Sequence, residues 1–241
     1  MMKTYDLYLE SGPKRMTTMV HVPELLGCTA VGSTTDEALA ATPDAIRAYL
    51  RFLRGCGEKV DPRAAFKTRV VEHIAESGKW LGNGSPYATY GPDLQPVTTK
   101  DVETLLARFH ALRERLASWV ESRTAKQLAA EPKGGGRADG KVLLHIVGGP
   151  GGYLSAALGG AKGFSAVHGA AERGEIPVAE ALRKVDLLTS ELVRSTTATQ
   201  RTAVVQRPKE IRTLRKALRQ ILEHDWNHLA ELSRRPGGPV L

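Results

Sequence analysis

Cysteine is nearly absent: only Cys28 and Cys56 occur among 241 residues, in no Cys-x-x-Cys arrangement. That excludes a disulfide scaffold, a zinc knuckle and a redox dithiol, and makes a reducing cytosol the expected compartment. No apolar run approaches the roughly 18 to 20 residues that a membrane helix needs. The start Met1-Met2-Lys3-Thr4-Tyr5-Asp6 lacks a signal-peptide hydrophobic region, so an unexported cytoplasmic protein without a membrane partner is expected. The Gly-x-x-x-x-Gly-Lys-Ser/Thr phosphate loop is missing too. With 41% hydrophobic and 25% charged residues the composition is globular, which excludes disorder and collagen-like repeats.

What is present divides in two. The length suits two small domains or one large one. The chain holds 34 Lys+Arg against 26 Asp+Glu, net +8. Residues 1–96 are balanced, 11 against 11, so the whole excess falls in residues 97–241. The step coincides with Gly82-Asn83-Gly84-Ser85-Pro86 and Tyr90-Gly91-Pro92-Asp93-Leu94-Gln95-Pro96, the residue types that punctuate linkers. Domains of 1–96 and 97–241 are predicted.

The first segment reads as strands, a helix and a further strand. Tyr5, Leu7 and Leu9 alternate with polar or amphipathic neighbours, Met16–Val22 is rich in Thr and Val, and Leu25–Gly32 has strand length. Gly12-Pro13 and Pro23 separate them. Thr34-Thr35-Asp36-Glu37 is a helix start, a hydroxyl to cap free amides and two carboxylates at the positive end of the dipole. The helix runs through Leu39, Ile46, Tyr49, Leu50 and Leu53 to Gly55, with Pro43 expected to bend or break it. Phe66–Ile74 alternates as a last strand.

The run Val20-His21-Val22-Pro23-Glu24-Leu25-Leu26-Gly27-Cys28-Thr29-Ala30-Val31-Gly32-Ser33-Thr34, followed by Asp36-Glu37-Ala38-Leu39, resembles the HicB-like α/β module over residues 3–75. The resemblance implies a small sheet-and-helix unit. In that family the unit binds partners in antitoxins beside a separate DNA-binding domain, for which this sequence shows no obvious counterpart. A scaffold that docks or dimerises is the alternative.

The second segment has the period of helices. Thr98 with Asp101 is a capping-box variant, and Val102, Leu105, Leu106, Phe109, Leu112, Leu116 and Val120 recur at helical spacing. A second helix follows through Val142, Leu143, Ile146, Val147, Leu154 and Leu158. A third starts at Pro177 and continues through Val178, Leu182, Val185, Leu188 and Leu192. A fourth begins near Pro208 and carries Ile211, Leu214, Leu218, Ile221, Leu222, Leu229 and Leu232. Four amphipathic stripes bury one another most economically as a bundle, so the expected fold class is α+β: a HicB-like sheet-plus-helix domain, then an up-down four-helix bundle. Gly148-Gly149-Pro150-Gly151-Gly152 interrupts the second helix. Glycine costs about 1 kcal/mol in a helix interior and proline about 3, so a kink or restart is expected there. The run either opens space beside a site or permits close packing.

Three histidines carry the chemistry. His224 and His228 are four apart, hence on one helix face, the spacing that lets two imidazoles share a metal. At about 100° per residue they flank the apolar stripe, away from the basic residues. His145 lies in the apolar run Val142–Val147 of another helix, and bundle metal sites are assembled from facing helices. His21, His73, His110 and His168 have no comparable partner and read as surface or packing residues.

Leu144-His145-Ile146 and the stretch from Leu214 to Leu232, with Glu223-His224-Asp225-Trp226-Asn227-His228 inside it, resemble the DinB/YfiT-like superfamily over residues 97–235. That resemblance implies a four-helix bundle, a metal triad of His145, His224 and His228, and a homodimer. Three neutral histidines leave open positions on zinc or nickel, the catalytic pattern. Such an ion activates water or holds a thiolate, so a metal-dependent hydrolase or a transferase using a low-molecular-weight thiol is the first reading, acting on a small-molecule substrate. Asp225 and Glu231 read as surface or supporting residues, and no general base is evident. The second reading is a non-enzymatic regulator that binds nucleic acid or another partner through the HicB-like domain and the basic stripe Arg207, Lys209, Arg212, Arg215, Lys216, Arg219. No interleaved aromatics offer base stacking on that stripe.

Overall fold

A computed structural model describes residues 2–12, 17–75 and 80–241; Met1, Pro13 and Met16, which enter the expectations above, lie outside the described residues. The elements in order are β1 (Lys3–Gly12), β2 (Thr17–His21), β3 (Thr29–Gly32), α1 (Thr35–Gly55), β4 (Phe66–Ala75), α2 (Thr99–Glu121), α3 (Ala125–Ala129), α4 (Asp139–Leu158), α5 (Phe164–Glu172), α6 (Val178–Arg194), α7 (Ala198–Thr202), β5 (Val205–Gln206), β6 (Ile211–Arg212) and α8 (Leu214–Ser233). The fold is α+β. Residues group into two compact units, Met1–Pro96 with Thr202–Glu223, and Val97–Arg201 with His224–Leu241. Thr202–Glu223, expected with the bundle, thus groups with the sheet.

In the first unit the sheet order is β3-β2-β1-β4. β2 is antiparallel to both β1 and β3, whereas β4 runs parallel to β1. A parallel partner requires a crossover, and α1 lies within it, packed on β2 and β3. Tyr5, Leu7 and Leu9 are buried as their period-2 alternation predicts. The expected strand Leu25–Gly32 is shorter: Pro23–Leu25 forms a 3-10 turn and β3 starts at Thr29. At Gly27, with φ +106°, a Cβ would sit 2.1 Å from the Tyr49 hydroxyl, so the turn requires glycine. α1 starts on Thr34, whose hydroxyl accepts the Glu37 amide at 3.2 Å. It is one uninterrupted helix across Pro43, so of the bend or break expected there the break does not occur, because its buried face from Ala38 to Leu53 outweighs one missing hydrogen bond.

A buried polar cluster completes this unit. His21 Nδ1 lies 3.0 Å from Glu223 and its Nε2 3.7 Å from Glu10. Arg219 donates to Glu223 at 2.7 Å and to both oxygens of Asp93 at 2.7 and 2.9 Å. Glu10 accepts the amides of Gly84 and Ser85. Lys216 Nζ donates to Pro86 O at 2.6 Å and to Thr89 at 2.7 Å. The anticipated solvated basic stripe is therefore corrected: Lys216 and Arg219 are 3% and 1% exposed, and Arg215 donates to Gln95 O and Pro96 O. The last helix also begins later than Pro208. Arg207 N donates to Glu210 O, closing a turn that pairs β5 with β6, and α8 starts at Leu214.

In the second unit α2 opens on the expected capping box, Thr98 and Asp101 each accepting the other's amide, at 3.1 and 2.9 Å. α2 and α4 pack on α6, and α5, which the sequence did not suggest, packs on both α4 and α6. Trp226, Leu229 and Leu232 bury the α8 portion of this unit. α4 is also uninterrupted from Asp139 to Leu158, through all the glycines and Pro150, so the helix does not restart there.

Candidate metal centre

α4 presents His145, and one turn of α8 presents His224 and His228. One ring nitrogen from each lies within 4.8 Å of the others. Ring centroids are 4.7 to 5.0 Å apart. His145 is exposed and the other two are half-buried, so the cluster opens to solvent. Two carboxylates orient the rings. His224 Nδ1 donates to Asp225 at 3.1 Å, and His228 Nδ1 donates to Glu231 at 2.8 Å. Ionised carboxylates only accept, so these contacts place the protons on Nδ1 and leave Nε2 of both rings as the lone-pair atom. His224 Nε2 lies 3.1 Å from His145 Nε2.

The surroundings of His145 and His224 favour their neutral forms. Burial, then the neighbouring imidazoles of His224 and His228, push His145 down to about 4. Burial also lowers His224, against the pull of Asp225. The His228 hydrogen bond holds Glu231 down at about 2, with burial opposing. Neutral imidazole is the form that donates a lone pair to a metal.

The supporting residues come from across the unit. Asp225, fully buried, pairs with Arg113 Nε at 2.6 Å. Arg235 pairs with Glu231 and, at 2.6 Å, with Asp139. Gly149 faces His224: a Cβ there would stand 2.9 Å from His224 Cε1. Tyr153 lies edge-on to His224 at 6.0 Å. Arg113 was missed from sequence, although its position on the α2 apolar stripe, four residues after Phe109 and three before Leu116, was a signal: a charge there needs a buried partner. Of the other histidines, His73 bonds Ser11 at 2.7 Å, His110 bonds Asp186 at 2.6 Å, and His168 rests on Gly148. His21 is the one that the sequence reading undervalued.

Residues 108–232 match the family model of the DinB superfamily, a stretch that includes all three histidines. The chain belongs to the DinB superfamily. No curated protein and no solved structure gives a significant match. In this DinB-superfamily chain the donor set passes a chemical test for a divalent ion, because three imidazoles converge and two have their other nitrogen engaged by carboxylates. Among the described residues no helix is long and apolar enough to cross a membrane.

Proposed function

We propose that this DinB-superfamily protein binds zinc or nickel through His145, His224 and His228 and is a metal-dependent hydrolase or a transferase using a low-molecular-weight thiol, acting on a small-molecule substrate in the cytoplasm. The observation that carries the reading is the convergence of three imidazoles from two helices within 4.8 Å, open to solvent. A divalent ion so held lowers the pKa of water or a thiol and leaves positions for substrate. Asp225 and Glu231 orient His224 and His228, and the exposed His145 edge admits the reactant. Superfamily likeness alone supports a homodimer, which sedimentation equilibrium tests directly. Metal analysis of untagged protein offered zinc, nickel and manganese should give about one ion per chain, lost in His145→Ala and His224→Ala. Near-zero metal in the wild type would sink the reading.

A second reading, a regulator that binds an anionic partner such as nucleic acid through the first unit, is favoured by a different feature from the α8 stripe. The order β1-β2-β3-α1-β4 supports the HicB-like likeness. On α1, Arg47, Arg51 and Arg54 line an open concavity of about 420 Å³ with Arg63 and Pro62. Arg47 is held by a bond to Pro62 O at 3.0 Å and by the Phe66 ring at 5.1 Å. Guanidinium forks suit phosphate. Oligonucleotide binding that weakens steeply with salt and drops in Arg51→Gln supports this reading; no binding at low salt removes it.

A further inference from the structure

We propose that Pro150 and Arg113 together form a positioning device for His224, with Pro150 freeing a backbone carbonyl that anchors Arg113. In an α-helix the amide of residue 150 would donate to the carbonyl of Ile146. Proline has no amide hydrogen, so that carbonyl is left without its helical donor. Arg113 Nη2 donates to Ile146 O at 2.9 Å, in its place. The same guanidinium reaches Asp225, with Nε 2.6 Å from Oδ2 and Nη2 3.2 Å from Oδ1, and lies 4.7 Å from the Phe109 ring centroid. Asp225 Oδ1 in turn accepts from His224 Nδ1 at 3.1 Å.

The chain of contacts therefore runs Ile146 O, Arg113, Asp225, His224, every member in the second unit. Arg113 and Asp225 are 1% and 0% exposed at the side chain, so water does not substitute for either. A buried carboxylate held by one hydrogen bond from Nη2 and by the ion pair at Nε of an anchored cation has one orientation, and through it the imidazole has one tautomer. Gly149 supplies the room for that imidazole, since a Cβ there would stand 3.1 Å from His224 Nδ1. The run that reads as a fault in α4 thus serves the ring opposite: Gly149 by vacancy, Pro150 by a missing donor. Arg113 touches none of the three ring nitrogens that converge; it acts through Asp225.

The test uses two readouts on the full chain. In the metal-free protein, long-range ¹H–¹⁵N NMR of the imidazoles reads the His224 tautomer. Competition with a chelator reads zinc affinity. Arg113→Met should turn the single Nδ1–H tautomer into a mixture and lower zinc affinity about 10- to 100-fold, the range for residues that orient metal ligands. Arg113→Lys, which keeps the charge but not the fork, should recover only part of this. Should Arg113→Met fail to fold, Pro150→Ala decides. It restores a helical donor and raises helix propensity, so thermal stability should hold or rise. The tautomer should nevertheless become mixed and zinc affinity fall about threefold, because a carbonyl has two lone pairs and Arg113 keeps a weakened share. An unchanged tautomer with zinc affinity unaltered in Pro150→Ala and Arg113→Lys overturns the inference. The affinity arm rests on the metal reading above. A wild type that binds no zinc, yet loses its single tautomer in Pro150→Ala, overturns that reading and upholds this one.

Discussion

His21 has no access to solvent and three charged neighbours, Glu10, Glu223 and Arg219. Burial opposes its charge, but Glu223 and the bonds to Glu10 and Glu223 outweigh burial and raise it to about 9. The folded pKa exceeds the ordinary 6.5 of an unfolded histidine, so the folded state holds the extra proton. The resulting stabilisation is complete below pH 6.5 and is lost as pH rises through 9. The difference in urea midpoint between wild type and His21→Gln should therefore shrink steadily from pH 6.5 to 9; a constant difference would show that His21 is neutral in the fold. Nothing in the sequence around His21 foretold this, because its partners are up to 202 positions away. His224 and His228, by contrast, were legible from a four-residue spacing, and His145 from its apolar flanks. Their carboxylate partners Asp225 and Glu231 read from sequence as surface or supporting residues, and side-chain direction decides for support.

Helix α4 shows where element-scale reasoning from propensity misleads. Proline and four glycines argue for a break, yet the helix continues, and neighbours pack against or bond to the run at Gly148, Gly149, Gly151 and the carbonyl that Pro150 frees. A Cβ at Gly151 would meet Phe164 Cβ at 2.7 Å, and one at Gly148 would meet His168 at 3.1 Å. Gly149→Ala makes the conflict measurable. Propensity alone gives about 1 kcal/mol in favour of alanine, whereas the methyl group would displace the His224 ring. Zinc affinity should fall at least about tenfold while helical content by circular dichroism stays constant. Gly152→Ala, where nothing lies within 4 Å, is the control that should leave affinity intact. The caps were better predicted: Thr34 and Thr98 sit where local chemistry alone decides. The start of α8 was not, because the pairing of β5 with β6 takes Ile211 out of an otherwise helical pattern.

For the whole molecule, charge was the most misleading guide. The net +8 suggested a basic face on the last helix, yet Arg219 and Lys216 are spent inside the first unit, and the arginine concavity of α1 and Arg63 lies within residues 1–96, whose charges balance. Net charge counts residues and is blind to pairing. A bound ion acts at this scale as well, since anything that binds only the folded state stabilises it. Zinc at a hundredfold excess over its dissociation constant adds about 2.7 kcal/mol. The thermal midpoint should rise by several degrees in wild type and stay fixed in His145→Ala; equal shifts in both would place the zinc elsewhere.

The first unit takes residues from two separated stretches of the chain, 1–96 and then 202–223. During synthesis Glu10, His21 and Asp93 leave the ribosome long before Arg219 and Glu223 exist to neutralise them. The sheet unit must therefore wait, incompletely folded, while more than a hundred further residues are made. A fragment ending at Pro96 would keep these buried acids without their arginine.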